Sequence, residues 1–345
     1  MKKKVLVVED SILMQRVIAD IINASEEFEV SGFARDVAEG WAKFRKYKPD
    51  LITLDFELPG ENGLILLNKI MEANPTPVLM LSAHTKDGVE LTMRALAMGA
   101  IDFFTKPSGP ISIDLYKFKD ELIDKLKTTI HARLTKPIEK KVITGIEVAC
   151  KYYIGIASST GGVQALNFFI PSLPAKSGLR LSVVQHMPRF FTASLARHLN
   201  ERSELVVKEA KDGDLILPDE VLVAPGGYHL KIDPSAENVI LTNDPPRHGV
   251  KPSADILFES MADTFKNKAI GVILTGMGCD GAAGFKKIKE QGGLTIVQDP
   301  SDATISSMPQ SAIDTGTVDC ILPLKAIPNK ILELTNKLTK NKNDR

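Results

Sequence analysis

From residue 4 onwards, short runs rich in Val, Ile and Leu alternate with segments of helical period, and this alternation constrains the fold more than any other property of the chain. The first series reads KVLVV, SILMQRVIADII, FEVSGFA, VAEGWAKFRKY, DLITLDF, GLILLNKIM, PVLMLSA, GVELTMRALAMG and IDFFTKP, then an amphipathic stretch from about 113 to 134. Strands that are almost continuously apolar are buried on both faces, the condition of a parallel sheet covered by helices. Between about Thr135 and Lys151 the text changes to TKPIEKKVITGIEVACK, which reads as a linker. Alternation then resumes through YYIGIASSTGG, LRLSVVQH, LVVKEA, EVLVAPGG, NVILTND, AIGVILTG and LTIVQDP, and the closing KLTKNKNDR reads as a frayed helix end.

The expected fold class is α/β, with two doubly wound parallel-sheet domains: a flavodoxin-like (βα)5 unit followed by a Rossmann-like unit. The boundaries expected are 1–128 for the first domain, 129–150 for the linker and 151–340 for the second. A chain of 345 residues supports this division, since one domain usually takes about 100–200 residues. With 43 basic and 43 acidic residues, no bulk electrostatic attraction to nucleic acid or membrane is expected. Cys150, Cys279 and Cys320 are widely spaced, with no CxxC pair for zinc and no even set for a disulfide framework. The apolar run in MKKKVLVVEDS is too short for a signal peptide, and no stretch approaches the roughly 20 apolar residues of a spanning helix. The expectation is a cytoplasmic protein that does not insert into a membrane.

Acids gather at the strand ends of the first half. Glu9 and Asp10 follow the first strand, Asp55 follows LITL, and Lys106 follows IDFF. In a flavodoxin-like order they share one rim, where crowded carboxylates favour a cation, and oxygen-only ligands suit Mg²⁺. Asp55 is then placed to attack a phosphoryl donor, with Ser82 and Lys106 placed to hold the phosphoryl oxygens. The plainer alternative is a set of surface acids that merely end strands.

In the second half, Ser159 in IASSTGG, His186 in SVVQHMP and Asp280 in GMGCDGAAG each closely follow an apolar run. Side chains at the carboxyl ends of parallel strands converge on one rim, so the three suit a nucleophile, a base and an orienting acid. Each has a simpler reading: STGG as a tight turn or anion loop, His186 as a structural histidine, Asp280 as a helix cap. STGG has neither the lysine of a phosphate loop nor the Gly-x-Ser-x-Gly elbow of common hydrolases. His229 and His248, also near Gly-rich loops, compete for the role of base. The Met277 and Gly278 amides are candidate donors to an oxyanion.

VLVVEDS, LITLDFELPGENG, VLMLSA and FFTKP resemble a two-component receiver domain. The resemblance implies phosphorylation of Asp55, Mg²⁺ held by Asp10, Asp55 and the Glu57 carbonyl with Glu9 assisting through water, and a switch made of Ser82, Phe103 and Lys106. Glu9 in place of Asp and Asn62 before Gly63 are mild departures. IASSTGG, QHMP, APGGYHL, RHGVKPSADILFES and TGMGCDGAAG, in this order, closely resemble the catalytic domain of the chemotaxis protein-glutamate methylesterases, the CheB family. That resemblance implies a Ser159, His186, Asp280 triad with Met277 near the oxyanion site, and it selects Ser159 over Ser158. Cys279 stands where the family frequently has Asn.

Together the two resemblances imply phosphorylation-regulated hydrolysis of glutamate γ-methyl esters on chemoreceptors, with deamidation of receptor glutamines, through an acyl-enzyme. They imply a chemotaxis histidine kinase as phosphodonor, Mg²⁺ in the receiver, and no cofactor for ester cleavage. An unmodified receiver is expected to cover the Ser159 rim and to move aside on phosphorylation. The alternative is a non-enzymatic response regulator whose second domain binds a protein or nucleotide. A transcriptional regulator finds little support, because the second half has no compact basic helix-turn-helix signal.

Overall fold

The computed structural model describes residues 1–82, 85–106, 112–134 and 152–340. The chain divides into two compact units, Met1–Pro137 and Ile138–Arg345. Most of the expected linker, including Cys150, lies outside the described residues, as do Pro107 and residues 341–345 of the lysine-rich ending.

The first unit is a five-stranded parallel sheet of β1 (Lys3–Val8), β2 (Phe28–Ala34), β3 (Leu51–Asp55), β4 (Val78–Ser82) and β5 (Asp102–Thr105). Its order is β2-β1-β3-β4-β5. The helices are α1 (Ile12–Asn23), α2 (Val37–Tyr47), α3 (Gly63–Ala73), α4 (Lys86–Met98) and α5 (Lys119–Ile130). Polar residues at the strand ends start several of these helices. Ser11, Asp36, Asn62 and Thr85 accept from the Met14, Glu39, Leu64 and Gly88 amides, satisfying first-turn donors that the helix itself leaves open. Strands β3 and β4 are buried along their whole length, as their unbroken apolar text requires. The amphipathic stretch after residue 111 resolves into a 3-10 turn, Ser112–Phe118, and α5.

The second unit contains β6 (Tyr153–Ser158), α6 (Gly162–Ser172), β7 (Arg180–Gln185), α7 (Phe191–Asn200), β8 (Val206–Glu209), β9 (Glu220–Val223), β10 (His229–Ile232) and β11 (Val239–Thr242). It continues with α8 (Ala254–Phe265), β12 (Ala269–Ile273), α9 (Ala282–Glu290), β13 (Leu294–Gln298), α10 (Ser307–Asp314), β14 (Cys320–Leu322) and α11 (Ile327–Lys340). Seven strands pair in parallel in the order β14-β13-β12-β6-β7-β9-β8. Strand β6 is flanked by β7 on one side and β12 on the other, so its carboxyl end is a switch point, the place where open α/β sheets bind their ligands. Strands β10 and β11 stand apart as an antiparallel hairpin, so NVILTND belongs to no parallel layer. Phe258, Met261, Phe285 and Ile288 pack in the core beneath the sheet. Among the described residues, no helix is long and apolar enough to cross a membrane.

Candidate active site

Strand register delivers the three residues of the second half to one rim. Ser158 pairs with Gln185 across β6 and β7, so Ser159 and His186 each lie one step beyond paired strand ends. On the other side of β6, the Leu274 amide donates to the Ala157 carbonyl at 2.9 Å and the Ser159 amide to the Thr275 carbonyl at 3.1 Å. The loop carrying Asp280 therefore runs alongside Ser159. His186 Nε2 lies 2.8 Å from Asp280 Oδ2, with both side chains largely buried. Among the described residues, no hydrogen bond joins the Ser159 hydroxyl to His186; the serine is half-buried on the neighbouring strand end.

Asp280 is held by the start of α8. Its Oδ1 accepts from the Ser253 hydroxyl at 2.7 Å and the Asp255 amide at 3.1 Å, and its Oδ2 accepts from the Ala254 amide at 2.6 Å. Burial alone would raise this carboxyl, but the hydrogen bond and charge of His186 and the bonds from Ser253 and Ala254 outweigh it and hold Asp280 below the usual carboxylate range. A helix amino terminus favours the same ionised form. The carboxylate is thus poised to orient an imidazole and to stabilise it when protonated.

Gln185, buried at the end of β7, ties the Ser159 and His186 loops together. Its amide group donates to the Ser159 carbonyl at 2.9 Å and to the His186 carbonyl at 3.2 Å, while its oxygen accepts from the Ser158 hydroxyl at 2.6 Å. Ser158 thus serves the scaffold, which sets it apart from its half-buried neighbour Ser159. Gly162 completes the turn, since a Cβ there would come within 2.1 Å of Gln185 Oε1. Gly276 lies so close to Ser159 that its Cβ would approach Ser159 Cβ to 2.8 Å.

The rival histidines have other partners. His229 is fully buried; its Nδ1 accepts from the Ser253 amide and its Nε2 donates to the Pro245 carbonyl, each at 3.1 Å. Burial holds its pKa below the usual imidazole value, so it is a neutral structural group with both nitrogens committed. His248 pairs with Asp255 at 3.0 Å, and its Nδ1 lies 4.0 Å from Cys279 Sγ. Of the expected oxyanion donors, the Gly278 amide donates to the Ser307 hydroxyl at 3.2 Å. The Met277 side chain is exposed.

In the first unit, Lys106 Nζ bridges Asp55 Oδ2 at 2.5 Å and Glu9 Oε2 at 3.0 Å. Ligand atoms of Glu9, Asp10 and Asp55 lie within 4.8 Å of one another. Burial, then the charge of Asp55, pushes the Glu9 carboxyl up to about 7 despite Lys106. The donor set is all oxygen and fits Mg²⁺. A cavity of about 550 Å³ opens beside it, lined by Asp10, Phe56, Glu57, Asn62 and Leu91 among others. Ser82 is buried and its hydroxyl bonds Thr92 Oγ1 at 2.8 Å and the Gly88 carbonyl at 3.3 Å, both on α4. Phe103 is buried beneath Lys125, whose ammonium lies 5.5 Å from the ring centroid. Asn62 keeps a role at its altered position by capping α3.

Gln185, Ser253 and Asp255 carry only faint signals in the sequence: an amide ending an apolar run, and a Ser before Ala-Asp at a helix start. Their partners lie on other elements, which local text does not reveal.

Residues 154–331 match the family model described as CheB methylesterase, and residues 5–115 match that of the response regulator receiver domain. The chain is 42% identical over 344 residues to a protein-glutamate methylesterase/protein-glutamine glutaminase of Pyrococcus horikoshii, covering 96% of this chain and 93% of that one. It is 41% identical over 338 residues to the protein of the same description from Thermotoga maritima, covering 96% and 98%. The crystal structure of the Thermotoga maritima CheB methylesterase catalytic domain superposes with a TM-score of 0.52 at 41% identity, covering 53% of this chain and 98% of that one.

Proposed function

The chain belongs to the CheB methylesterase family and carries a response regulator receiver domain, and we propose that it hydrolyses glutamate γ-methyl esters of chemoreceptors through Ser159, His186 and Asp280 under the control of Asp55. It is an enzyme of the protein-glutamate methylesterase/protein-glutamine glutaminase type, acting in chemotaxis. The observation that carries the assignment of residues is the buried His186–Asp280 pair beside the strand end that bears Ser159.

His186 donates from Nε2 to Asp280, which leaves Nδ1 to accept the Ser159 proton. Ser159 Oγ attacks the ester carbonyl, and the oxyanion forms on the rim near the Met277 amide. His186, now protonated and stabilised by Asp280, gives its proton to the departing methanol. Water then attacks the glutamyl-serine ester, again losing a proton to His186, and Ser159 leaves with that proton to free the glutamate side chain. A receptor glutamine follows the same path with ammonia as the leaving group.

Asp55 accepts the phosphoryl group from a chemotaxis histidine kinase. Bound Mg²⁺ would neutralise charge among Asp55 and the phosphoryl oxygens, held by Glu9, Asp10, Asp55 and the Glu57 carbonyl. Lys106 already contacts Asp55 and is placed to bind one phosphoryl oxygen. Recruiting Ser82 to another would break its bonds to Thr92 and Gly88 and so disturb α4. This is the local event that couples phosphorylation to the esterase rate; a shift from 1:99 to 99:1 needs about 5.5 kcal/mol of differential stabilisation.

Methanol release from methylated receptor fragments tests the chemistry. Ser159→Ala is expected to abolish it while Ser158→Ala retains part of it; release that survives Ser159→Ala would leave a non-enzymatic output domain as the better reading.

A further inference from the structure

We infer that Ser253 is a positioning residue for this hydrolysis, fixing the plane in which the Asp280 carboxylate meets His186. The inference rests on the triad reading above and adds to it the device that sets the acid.

Ser253 occupies the cap position of α8 in an extended conformation, where a serine hydroxyl ordinarily accepts from an amide two or three residues on. It makes no such bond. Instead the hydroxyl donates to Asp280 Oδ1 at 2.7 Å across 27 residues of chain. The first two amides of the helix, Ala254 and Asp255, also go to Asp280. Asp280 therefore caps α8 from another loop, and the Ser253 hydroxyl is redirected from its usual local duty to the carboxylate.

The four donors divide two and two between the oxygens, but the contacts differ in length. Oδ2 receives the Ala254 amide at 2.6 Å and His186 at 2.8 Å, whereas Oδ1 receives Ser253 at 2.7 Å and the Asp255 amide at 3.1 Å. Without the Ser253 hydroxyl, Oδ1 keeps only the longest of the four contacts, and the carboxylate plane is held less firmly about its Cβ–Cγ bond. Ser253 is itself fixed, fully buried and with its amide bound to His229 Nδ1, while His229 Nε2 binds the Pro245 carbonyl. The result is one continuous hydrogen-bonded path from Pro245 through His229, Ser253 and Asp280 to His186.

The charged and titratable groups around Asp280 are His186 after β7, Asp255 on α8, Arg247 and His248 before it, and His229 on β10. Among the described residues, none of them reaches Oδ1 by a side-chain hydrogen bond; the donors there are the Ser253 hydroxyl and the Asp255 amide.

The test uses the full chain, assayed by methanol release from methylated receptor fragments across pH, with thermal melting run alongside. Ser253→Ala is expected to lower kcat about tenfold with KM unchanged, the loss of one hydrogen bond to a charged group. The acidic limb of the kcat profile shifts, because the carboxylate that faces His186 has lost a donor. Ser253→Thr, which keeps the hydroxyl, restores both. If Ser253→Ala melts too low to assay, Ser253→Cys, similar in volume but a weak donor, carries the same comparison. A kcat within twofold of wild type overturns the inference. So does a loss that follows the folded fraction with the acidic limb unmoved. A wild-type protein that releases no methanol instead overturns the hydrolase reading, and this inference with it.

Discussion

His186 Nε2 lies 2.8 Å from Asp280 Oδ2, and the two side chains arrive from opposite sides of β6, one after β7 and the other after β12. In the trypsin-like template the acid binds Nδ1 and the serine faces Nε2; here the carboxylate takes Nε2, which leaves Nδ1 for the proposed nucleophile. What the exchange preserves is a buried carboxylate that selects one imidazole tautomer.

Asp280→Asn removes the negative charge and offers the imidazole an amide that can select the wrong tautomer. The expected outcome is a fall in kcat of about 10³–10⁴ with a much smaller change in KM, measured by methanol release. A loss below about tenfold would show that Asp280 serves chiefly as the cap of α8.

Asp280 also makes stability depend on pH. Despite burial, His186, Ser253 and Ala254 keep its native pKa below the unfolded value of about 3.9. Its contribution is therefore present above about pH 4 and lost as pH falls through the native value. In urea unfolding, the gap between wild type and Asp280→Asn is expected to be widest near neutrality and to shrink below about pH 4. A gap that stays constant down to about pH 3 contradicts the assignment.

Gln185→Ala removes a buried group that holds the backbone on both sides of the site and leaves the Ser158 hydroxyl without its acceptor. The expected cost is about 1–3 kcal/mol in chemical denaturation, with a drop in kcat larger than that of a surface substitution. Wild-type kcat in a measurably destabilised Gln185→Ala protein would confine Gln185 to the scaffold.

Much of this architecture is legible in the sequence because buried parallel strands write themselves as continuous apolar runs. LITLD and VLMLS lie fully buried where that text stands. Ser159, His186 and Asp280 stand out because each punctuates such a run. NVILTND carries the same apolar signature as the parallel strands, yet it pairs with His229–Ile232 as a hairpin, and nothing local distinguishes the two outcomes. Gln185 and Ser253 acquire much of their meaning from partners 26 and 27 residues away in sequence. Such hydrogen bonds follow from tertiary register and carry no periodic signal.

Chelation tests the carboxylate cluster. Glu9, Asp10 and Asp55 crowd together, with Lys106 bridging Glu9 and Asp55. Added Mg²⁺ is expected to raise the melting temperature of the receiver, by about 2.7 kcal/mol of stabilisation at a hundred times its Kd. EDTA is expected to stop phosphoryl transfer from acetyl phosphate to Asp55, and Asp10→Asn to weaken the thermal shift. Equal phosphorylation with and without EDTA would assign the acids a purely structural role.

The coupling of Asp55 to Ser159 is tested most directly by methanol release from methylated receptor fragments, with and without acetyl phosphate, by wild type, Ser159→Ala and Asp55→Asn. The account requires acetyl phosphate to accelerate wild type, Asp55→Asn to keep a basal rate that does not respond, and Ser159→Ala to release no methanol in either condition. Acceleration of Asp55→Asn equal to that of wild type, or release by Ser159→Ala, would contradict it.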